Sequence, residues 1–264
     1  MNPAGELNAI PSIPNLRDVG GVRTRTGGSV RTELLYRAAG LHTLAPGDVP
    51  AFERLGLRTV YDLRLTREQA EAPDRLPATT RHVPADVLSG WTRGGPSQLF
   101  EWASDPAAAR AGLADGRAEA LWVEQYRAFV RLPGARAAYG AMLRDLAADA
   151  SRPALVHCTT GKDRTGWAVA LLQLLLDVPD DAVMAHYLES RDRLAPFVAT
   201  VLEGLAARGI DPDLFVPVFD VRPAYLEAAL DEMRAGYGTV EAYLAEGLGV
   251  DGAVQRELQD AFAA

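Results

Sequence analysis

The sequence predicts an α/β fold in which a central, mainly parallel β-sheet is flanked by helices. Four short runs rich in apolar and β-branched residues, at 34–37, 59–63, 81–85 and 154–157, have the length and composition of strands. Helical patterns, such as the one at 48–55, separate these runs along the chain. Strands that alternate with helices in this way pair in parallel and carry the helices on their faces.

The rest of the chain is predicted to be helical. Residues 117–149 contain two helical patterns that break at Pro133 and Gly134, and the pattern from Thr165 onward is almost wholly helical. Stops at Pro179, 209–212, 236–238 and 247–249 divide this last part into short helices. We therefore expect the C-terminal third to form a helical layer.

The segment 87–120 has a different character from its neighbours. It shows few clean periodicities and contains Trp91, Phe100 and Trp102. A stretch of this length is rarely an idle loop. Two alternatives stay open, an insertion whose aromatic side chains complete a local core and a lid-like segment over an active site. Because the chain has no internal repeat and no low-complexity linker, we expect one domain over 1–264, with 87–120 inserted in it.

Composition and charge limit the class of protein. The chain has 264 residues, of which 48% are hydrophobic and 23% charged, and its net charge is −8. An acidic surface argues against nucleic acid or an anionic membrane as a bulk partner. No apolar run is long enough for a membrane span, and residues 1–14 lack the features of an export signal, so a cytoplasmic location is the default expectation. The sequence indicates no particular oligomeric state.

The chain's only cysteine, Cys158, and its only lysine, Lys162, lie in one segment, HCTTGKDRTG at 157–166. A single cysteine forms no internal disulfide and builds no zinc site from thiolates, so we expect a free thiol and neither metal nor cofactor. Arg164 follows Cys158 by six residues, on a loop between a predicted strand and a predicted apolar helix. This arrangement is what cleavage of a phosphate ester through a cysteinyl-phosphate requires.

Each position of the loop has a predicted task in such a reaction. Cys158 is the predicted nucleophile, which attacks as the thiolate. The backbone N–H groups of Thr159, Thr160, Gly161 and Lys162 are expected to curl around a tetrahedral anion, with the N-terminus of the next helix adding positive potential. Arg164 supplies a planar fork that matches two phosphate oxygens.

Three further side chains of the segment have predicted roles. Thr165 is expected to donate its hydroxyl to the sulfur when cysteine becomes the leaving group. His157 is expected to orient the loop through hydrogen bonds rather than act as a base. Lys162 is expected at the rim of the pocket, where an ammonium favours substrates with a second anionic group, such as a phosphoinositide headgroup or an acidic phosphopeptide.

A leaving alkoxide or phenoxide needs a proton, and the sequence offers two aspartates as the general acid. Asp163 lies in the loop itself. Asp86 follows the predicted strand 81–85, where its carboxylate would reach the same edge of the sheet. We favour Asp86 slightly, although an aspartate at a strand end is also a common turn residue.

The segment resembles the phosphate loop of cysteine-dependent phosphatases, and the chain is most similar to bacterial tyrosine phosphatases typified by a secreted mycobacterial enzyme. The resemblance covers about residues 13–262. It includes NLRDVGG at 15–21, LYRA at 35–38, DLR at 62–64 with Glu68, PDR at 73–75, and the late Tyr237-Gly238 and Tyr243-Leu244.

The resemblance implies hydrolysis of phosphotyrosine, and also of phosphoserine, phosphothreonine and phosphoinositides as known across the family. It assigns Cys158 as nucleophile and Arg164 as phosphate clamp, with Lys162, Asp163 and Asp86 at family positions. It also makes secretion without a signal an alternative to the cytoplasm. From the residues, we interpret 15–21 as a turn that ties the N-terminus to the sheet, and Asp62 with Arg64 as a buried pair that supports the loop.

Other functions stay open at this point. A phosphatase that prefers phosphoinositides would use the same loop, and a binding module that reads phosphate without turnover would share its anion site. A sulfur transferase also uses a loop cysteine, but the threonine and glycine leading into a long helix make it remote. The expected partner is therefore a phosphorylated protein or a phosphoinositide.

Overall fold

The computed structural model describes residues 10–92 and 96–264, without the side chains of 96 and 97. The strands are β1 (Arg17–Asp18), β2 (Leu35–Ala38), β3 (Thr59–Asp62), β4 (Arg81–Pro84) and β5 (Ala154–His157). They form one sheet in the order β1-β2-β5-β3-β4, in which only the pairing of β1 with β2 is antiparallel. The predicted α/β fold with a mainly parallel sheet is thus confirmed, with a two-residue edge strand that is too short to predict.

The register of the sheet brings three strand ends to one level. On β5, His157 pairs with Ala38 of β2 on one side and with Asp62 of β3 on the other. The residues that follow these positions therefore leave the sheet side by side. Cys158 is one of them, so it emerges at the carboxyl edge of the parallel sheet, where ligands usually bind in such folds.

Helices cover the sheet and build the rest of the molecule. In chain order they are α1 (Val49–Glu53), α2 (Thr66–Glu71), α3 (Pro96–Trp102), α4 (Pro106–Leu113), α5 (Arg117–Arg131), α6 (Pro133–Ala147), α7 (Asp163–Leu175), α8 (Asp180–Leu188), α9 (Ser190–Ala206), α10 (Val216–Phe219), α11 (Pro223–Tyr237), α12 (Val240–Ala242) and α13 (Gly252–Phe262). Short 3₁₀ turns occur at Leu41–Thr43, Pro46–Asp48, Asp149–Ser151 and Pro212–Phe215, and a π-helical turn at Tyr243–Gly247. The predicted helical C-terminal layer corresponds to α7–α13.

Helix α7 is the core helix of the molecule. Every residue from Arg164 to Leu175 is buried, and Trp167 and Leu171 have no exposed surface. A helix that is apolar all round must be covered on every side, here by the sheet and by the later helices. The loop that begins α7 is therefore attached to the most buried element of the fold.

The segment 87–120 contains α3 and α4 in its described part. Trp102 is 6% exposed and belongs to the main core, and it packs so closely on Gly112 that a Cβ there would lie 2.4 Å from the indole Nε1. Phe100, in contrast, is 75% exposed. Trp102 therefore contributes to the main core rather than to a separate local core, whereas motion as a lid remains a prediction. Gly94 and Gly95 lie outside the described residues.

Within 10–92 and 96–264, no helix combines the length and the hydropathy that crossing a bilayer requires. The first nine residues, part of the segment searched for an export signal, lie outside the described residues.

Candidate active site

The loop between β5 and α7 forms one wall of a small cavity. Cys158 follows β5 directly and is 1% exposed. The cavity has a volume of about 210 Å³. Its described lining consists of Glu68, Leu99, Trp122, Gln125, Thr159, Thr160, Lys162, Asp163, Arg164, Val218 and Phe219. Loop residues thus supply the polar wall and several helices supply apolar side chains opposite it.

Hydrogen bonds from two side chains outside the loop fix its carbonyl groups. Asn15 donates its amide to the oxygen of Thr160, at 3.1 Å, and to that of Gly161, at 2.9 Å. The guanidinium of Arg37 donates to the same Gly161 oxygen at 2.7 Å. Because two side chains fix these carbonyls, the peptide groups of the loop cannot turn over freely.

The N–H groups of the loop have no such partners. Within the described part of the chain, no backbone N–H from Thr159 to Arg164 donates to a protein acceptor. Buried backbone donors normally find an acceptor, so a row of free N–H groups at the start of a helix is a site for an anion. The loop therefore has the hydrogen-bond polarity of a phosphate site.

Gly161 permits this loop shape for two reasons. Its φ of +67° lies in the left-handed region, which residues with a Cβ avoid. A Cβ at this position would also lie 2.1 Å from the carbonyl oxygen of Ala38 on β2. The loop can pack directly on the sheet only with glycine here.

Arg164 is held by a carboxylate from a different part of the chain. Its Nη1 lies 2.5 Å from Oε2 of Glu68 and its Nη2 lies 3.1 Å from Oε1, while Nη2 also donates to the Thr159 hydroxyl at 2.9 Å. Burial alone would raise the pKa of Glu68, but the Arg164 guanidinium outweighs it and the pKa is lowered. Glu68 is therefore ionised at neutral pH and fixes the arginine beside the loop.

Asp86 lies two residues beyond β4, at the carboxyl edge of the sheet, and its carboxylate is held by hydrogen bonds. Its Oδ2 accepts hydrogen bonds from the N–H and the hydroxyl of Thr66, at 3.0 and 3.2 Å, and its Oδ1 accepts from the N–H of Leu88 at 3.1 Å. It is absent from the described cavity lining. The choice of general acid between Asp86 and Asp163 stays a prediction, although only Asp163 lines the described cavity. Asp86 caps the start of α2, the helix that carries Glu68.

Asp163 does lie in the cavity wall. Its side chain is 14% exposed, and its Oδ1 accepts a hydrogen bond from the hydroxyl of Tyr126 at 2.9 Å. The Tyr126 hydroxyl is in turn 2.8 Å from that of Tyr187. Of the two aspartates, only Asp163 is in the described lining of this cavity.

Lys162 is not at the rim of the pocket. It is 2% exposed, and its ammonium donates to the carbonyl oxygens of Val218 at 2.7 Å and Asp220 at 2.8 Å. Burial lowers its pKa, and the nearby carboxylates of Asp163 and Asp220 oppose that effect. The expectation of an exposed cation for a second anionic group is thus corrected. The sequence shows a charged residue in the loop but not the helix end, α10, that supplies its partners.

The remaining predicted residues lie around the loop. The Thr165 hydroxyl is buried and has no hydrogen-bond partner in the described residues, including the sulfur of Cys158. His157 is fully buried, with Nδ1 at 3.2 Å from the carbonyl oxygen of Cys158 and Nε2 at 3.0 Å from Oδ2 of Asp74. These contacts place His157 between the loop and the buried charges below it.

Asp62 and Arg64 form a buried ion pair, with Nη2 of Arg64 2.7 Å from Oδ2 of Asp62. The same Nη2 lies 2.9 Å from Oδ1 of Asp74. Asp62, Asp74 and His157 place ligand atoms within 4.8 Å of one another, the spacing of a metal site. Because Arg64 already pairs with both carboxylates, this donor set fits a structural charge network better than a divalent cation.

Sequence reasoning missed four residues of the site: Asn15, Arg37, Glu68 and Tyr126. Asn15 was assigned to a turn, and it does have a left-handed φ of 62°, but its amide supports the loop. The others are far from the loop in sequence and carry no local motif. The available signal was the family resemblance, which includes Asn15, Arg37 and Glu68 but not Tyr126.

Comparison with known proteins agrees with this geometry. A family model described as "Tyrosine phosphatase family" matches residues 8–264. A Cupriavidus necator protein named as a tyrosine-protein phosphatase is 34% identical over 244 residues, which cover 92% of this chain and 84% of the relative. The triple specificity protein phosphatase PtpB of Mycobacterium tuberculosis is 29% identical, with 90% of this chain and 92% of the relative covered. A tyrosine-protein phosphatase of Nostoc commune is 27% identical, covering 82% and 70%.

Proposed function

Because this chain belongs to the tyrosine phosphatase family, we propose that it hydrolyses phosphotyrosine through a cysteinyl-phosphate formed on Cys158. The loop geometry carries the proposal. The free N–H groups of residues 159–164 and the guanidinium of Arg164 belong to the loop that directly follows the cysteine, and Arg164 lines the cavity. Together they match the oxygens of a phosphate and the charge that develops on them in the transition state.

In the first step the thiolate sulfur of Cys158 attacks phosphorus. A sulfur–phosphorus bond forms as the bond from phosphorus to the phenolic oxygen breaks, and Asp163 gives its proton to that oxygen. Tyr126 holds Asp163 through its hydroxyl and so keeps the carboxyl group directed along the cavity wall. The products of this step are tyrosine and the cysteinyl-phosphate.

In the second step water attacks the phosphorus of the cysteinyl-phosphate. Asp163, now ionised, takes a proton from the water, and the phosphorus–sulfur bond breaks to return the thiolate and release phosphate. The buried hydroxyl of Thr165, which has no other partner in the described residues, is available to donate to the departing sulfur. No metal takes part in either step.

The shape of the cavity supports an aryl phosphate. Leu99, Trp122, Val218 and Phe219 line it opposite the loop. Its volume of about 210 Å³ lies below the range of about 300–1,000 Å³ typical of sites for drug-sized ligands. Apolar walls beside a small anion site fit the ring of one phosphorylated tyrosine side chain.

The nucleophile and the absence of a metal are tested directly. Cys158→Ser is expected to abolish hydrolysis of 4-nitrophenyl phosphate, and EDTA is expected to leave the wild-type rate unchanged. Retained activity in the serine variant would overturn the proposed intermediate. Loss of activity with EDTA, restored by added metal, would overturn a metal-independent mechanism.

The general acid is tested with two aryl phosphates that differ in leaving group. Asp163→Asn is expected to lower kcat/KM for phenyl phosphate by about 100-fold or more but to affect that for 2,4-dinitrophenyl phosphate far less, because a good leaving group departs without a proton. Asp86→Asn is the matched control and is expected to affect both substrates equally. The reverse pattern would assign the acid to Asp86.

Substrate class is tested by comparing kcat/KM for peptides with phosphotyrosine, phosphoserine or phosphothreonine and for phosphoinositides. We expect phosphotyrosine to be preferred. The relative named a triple specificity phosphatase makes the broader panel necessary. A phosphoinositide with the highest kcat/KM would replace phosphotyrosine in the proposal, and binding of the peptide without turnover would make the chain a phosphate-reading module.

A further inference from the structure

Arg37 lies beneath the phosphate-binding loop, on the side away from the cavity. It is on β2, next to β5, and has no exposed surface. Its Nη2 donates to the carbonyl oxygen of Gly161 at 2.7 Å and lies 3.5 Å from that of Lys162. Its Nε and Nη1 have no hydrogen-bond partner in the described part of the chain. The guanidinium is thus fully buried and only partly satisfied.

Arg37 also lacks the carboxylate that each other buried arginine around the site has. Arg17 pairs with Glu189, Arg64 with Asp62 and Asp74, and Arg164 with Glu68. No aspartate or glutamate of the described residues forms an ion pair with Arg37. A buried charge without a counter-charge is costly, so its retention needs a reason that packing alone does not provide.

The group that offsets this charge is on the loop. Burial lowers the pKa of Arg37 to about 10, and a negative charge on Cys158 is the strongest effect opposing that decrease. The hydroxyls of Tyr126 and Tyr187 and the more distant Glu189 also face the guanidinium. Of these groups, only Cys158 forms a bond to the substrate phosphorus in the proposed reaction.

We propose that Arg37 is a positioning residue whose buried positive charge is completed by the anion on the other face of the loop, first the Cys158 thiolate and then the substrate phosphate. Its hydrogen bond to Gly161 directs the loop carbonyls away from the cavity, and its charge favours an anion on the cavity side of the loop. Arg37 does not touch the substrate. The inference rests on the proposed use of this loop as an anion site, but its test needs no turnover.

The test compares alkylation of Cys158 by iodoacetate and by iodoacetamide. In both reactions the thiolate sulfur forms a bond to carbon and iodide leaves, so the thiolate fraction cancels from the ratio of the two rate constants, which are measured on variants shown to be folded. The ratio reports the electrostatic potential at the sulfur, because only iodoacetate carries a negative charge. A failure of the phosphatase proposal would leave this measurement intact.

Arg37→Met removes charge and donors, and we expect the ratio of iodoacetate to iodoacetamide rates to fall by about tenfold. Arg37→Gln keeps an N–H donor but no charge, and we expect its rate ratio to fall similarly. Arg37→Lys keeps the charge, and we expect its rate ratio to stay within about twofold of the wild-type ratio. The concentration of inorganic phosphate that half-protects Cys158 from iodoacetamide should rise in the Met and Gln variants and stay low in the Lys variant.

Arg152→Met is the matched control. Arg152 is also a buried arginine with an unpartnered Nη1, but it precedes the opposite end of β5. Its loss is expected to leave the ratio unchanged. A wild-type ratio in Arg37→Met, or an equal fall in Arg152→Met, would overturn the proposal. If Arg37→Lys is the only variant that folds, a rate ratio about tenfold below wild type in that variant would also overturn the proposal. The positive charge would then be present without raising the ratio.

Discussion

The guanidinium of Arg164 and the carboxylate of Glu68 form a two-point ion pair in the wall of the cavity, with nitrogen–oxygen distances of 2.5 and 3.1 Å. The two residues lie 96 positions apart in sequence, on α7 and α2. Both side chains are about nine-tenths buried. Arg164, the proposed phosphate clamp, is therefore oriented by the protein itself, and α2 contributes to the cavity wall.

Glu68→Gln is predicted to lower kcat/KM for an aryl phosphate by roughly tenfold. The amide keeps the size of the side chain but no longer offers two carboxylate oxygens to Arg164, so the guanidinium is less well oriented. Steady-state kinetics with 4-nitrophenyl phosphate measures the effect.

Glu71→Gln is the matched control on the same helix. Glu71 is exposed and pairs with Arg67 at 2.7 Å, away from the cavity lining. This variant is expected to keep the wild-type kcat/KM. Equal activity of the two variants would show that the Glu68 pair does not orient the arginine.

Stability is predicted to depend on pH through the same pair. The folded-state pKa of Glu68 lies below its ordinary value of 4.5, because the effect of Arg164 exceeds that of burial. The stabilisation is therefore fully present above about pH 4.5 and is lost as the pH falls through the lowered folded-state value. Urea denaturation should show a constant difference between wild type and Glu68→Gln from pH 7 to about 5 that shrinks below about 4.5. A difference that stays constant down to pH 3 would contradict the predicted linkage.

Asn15 is predicted to support catalysis through the loop. Asn15→Gly removes the donors to Thr160 and Gly161 but tolerates the left-handed φ of 62°. We expect a stability loss of about 1–3 kcal/mol and a lower kcat. Asn15→Ala should be less stable than the glycine variant, because it adds backbone strain. Wild-type kcat in a folded Asn15→Gly variant would show that Arg37 holds the loop without it.

Lys162 is predicted to connect the loop with α10 rather than to select the substrate. Lys162→Met removes both hydrogen bonds to the carbonyls of Val218 and Asp220, so we expect lower thermal stability and a higher KM for every substrate. The ratio of kcat/KM for a phosphoinositide to that for a phosphotyrosine peptide should not change. A selective loss of phosphoinositide hydrolysis would restore the role of a rim cation.

Tyr126→Phe is predicted to lower kcat/KM by several-fold for a poor leaving group and by less for a good one. The variant removes only the hydroxyl that donates to Asp163, so the aspartate stays but is less well oriented. Tyr139→Phe is the control, since its hydroxyl donates to the backbone carbonyl of Arg164 instead. Equal effects on both leaving groups in Tyr126→Phe would separate Tyr126 from proton transfer.

The sequence by itself determined the fold class and the chemical centre of this protein. Short runs rich in apolar and β-branched residues predict the four parallel strands β2–β5, because four or five residues bounded by turns are long enough for a strand but short for a helix. Cys158, Gly161 and Arg164 could be identified because their roles depend on neighbours within six residues. Their spacing between a strand and a helix is a local property, so it can be recognised in the sequence without knowing the tertiary structure.

Only the tertiary structure decided which distant residues complete the site. Glu68, Asn15 and Arg37 reach the loop because the parallel register brings the ends of β2, β3 and β5 to one edge, and no local pattern records that contact. The same packing buries Lys162 against α10 and draws Asp86 to the start of α2. Charge and donor type can be read from a sequence, but burial and partners depend on which elements pack together, and these decide what each charged group does.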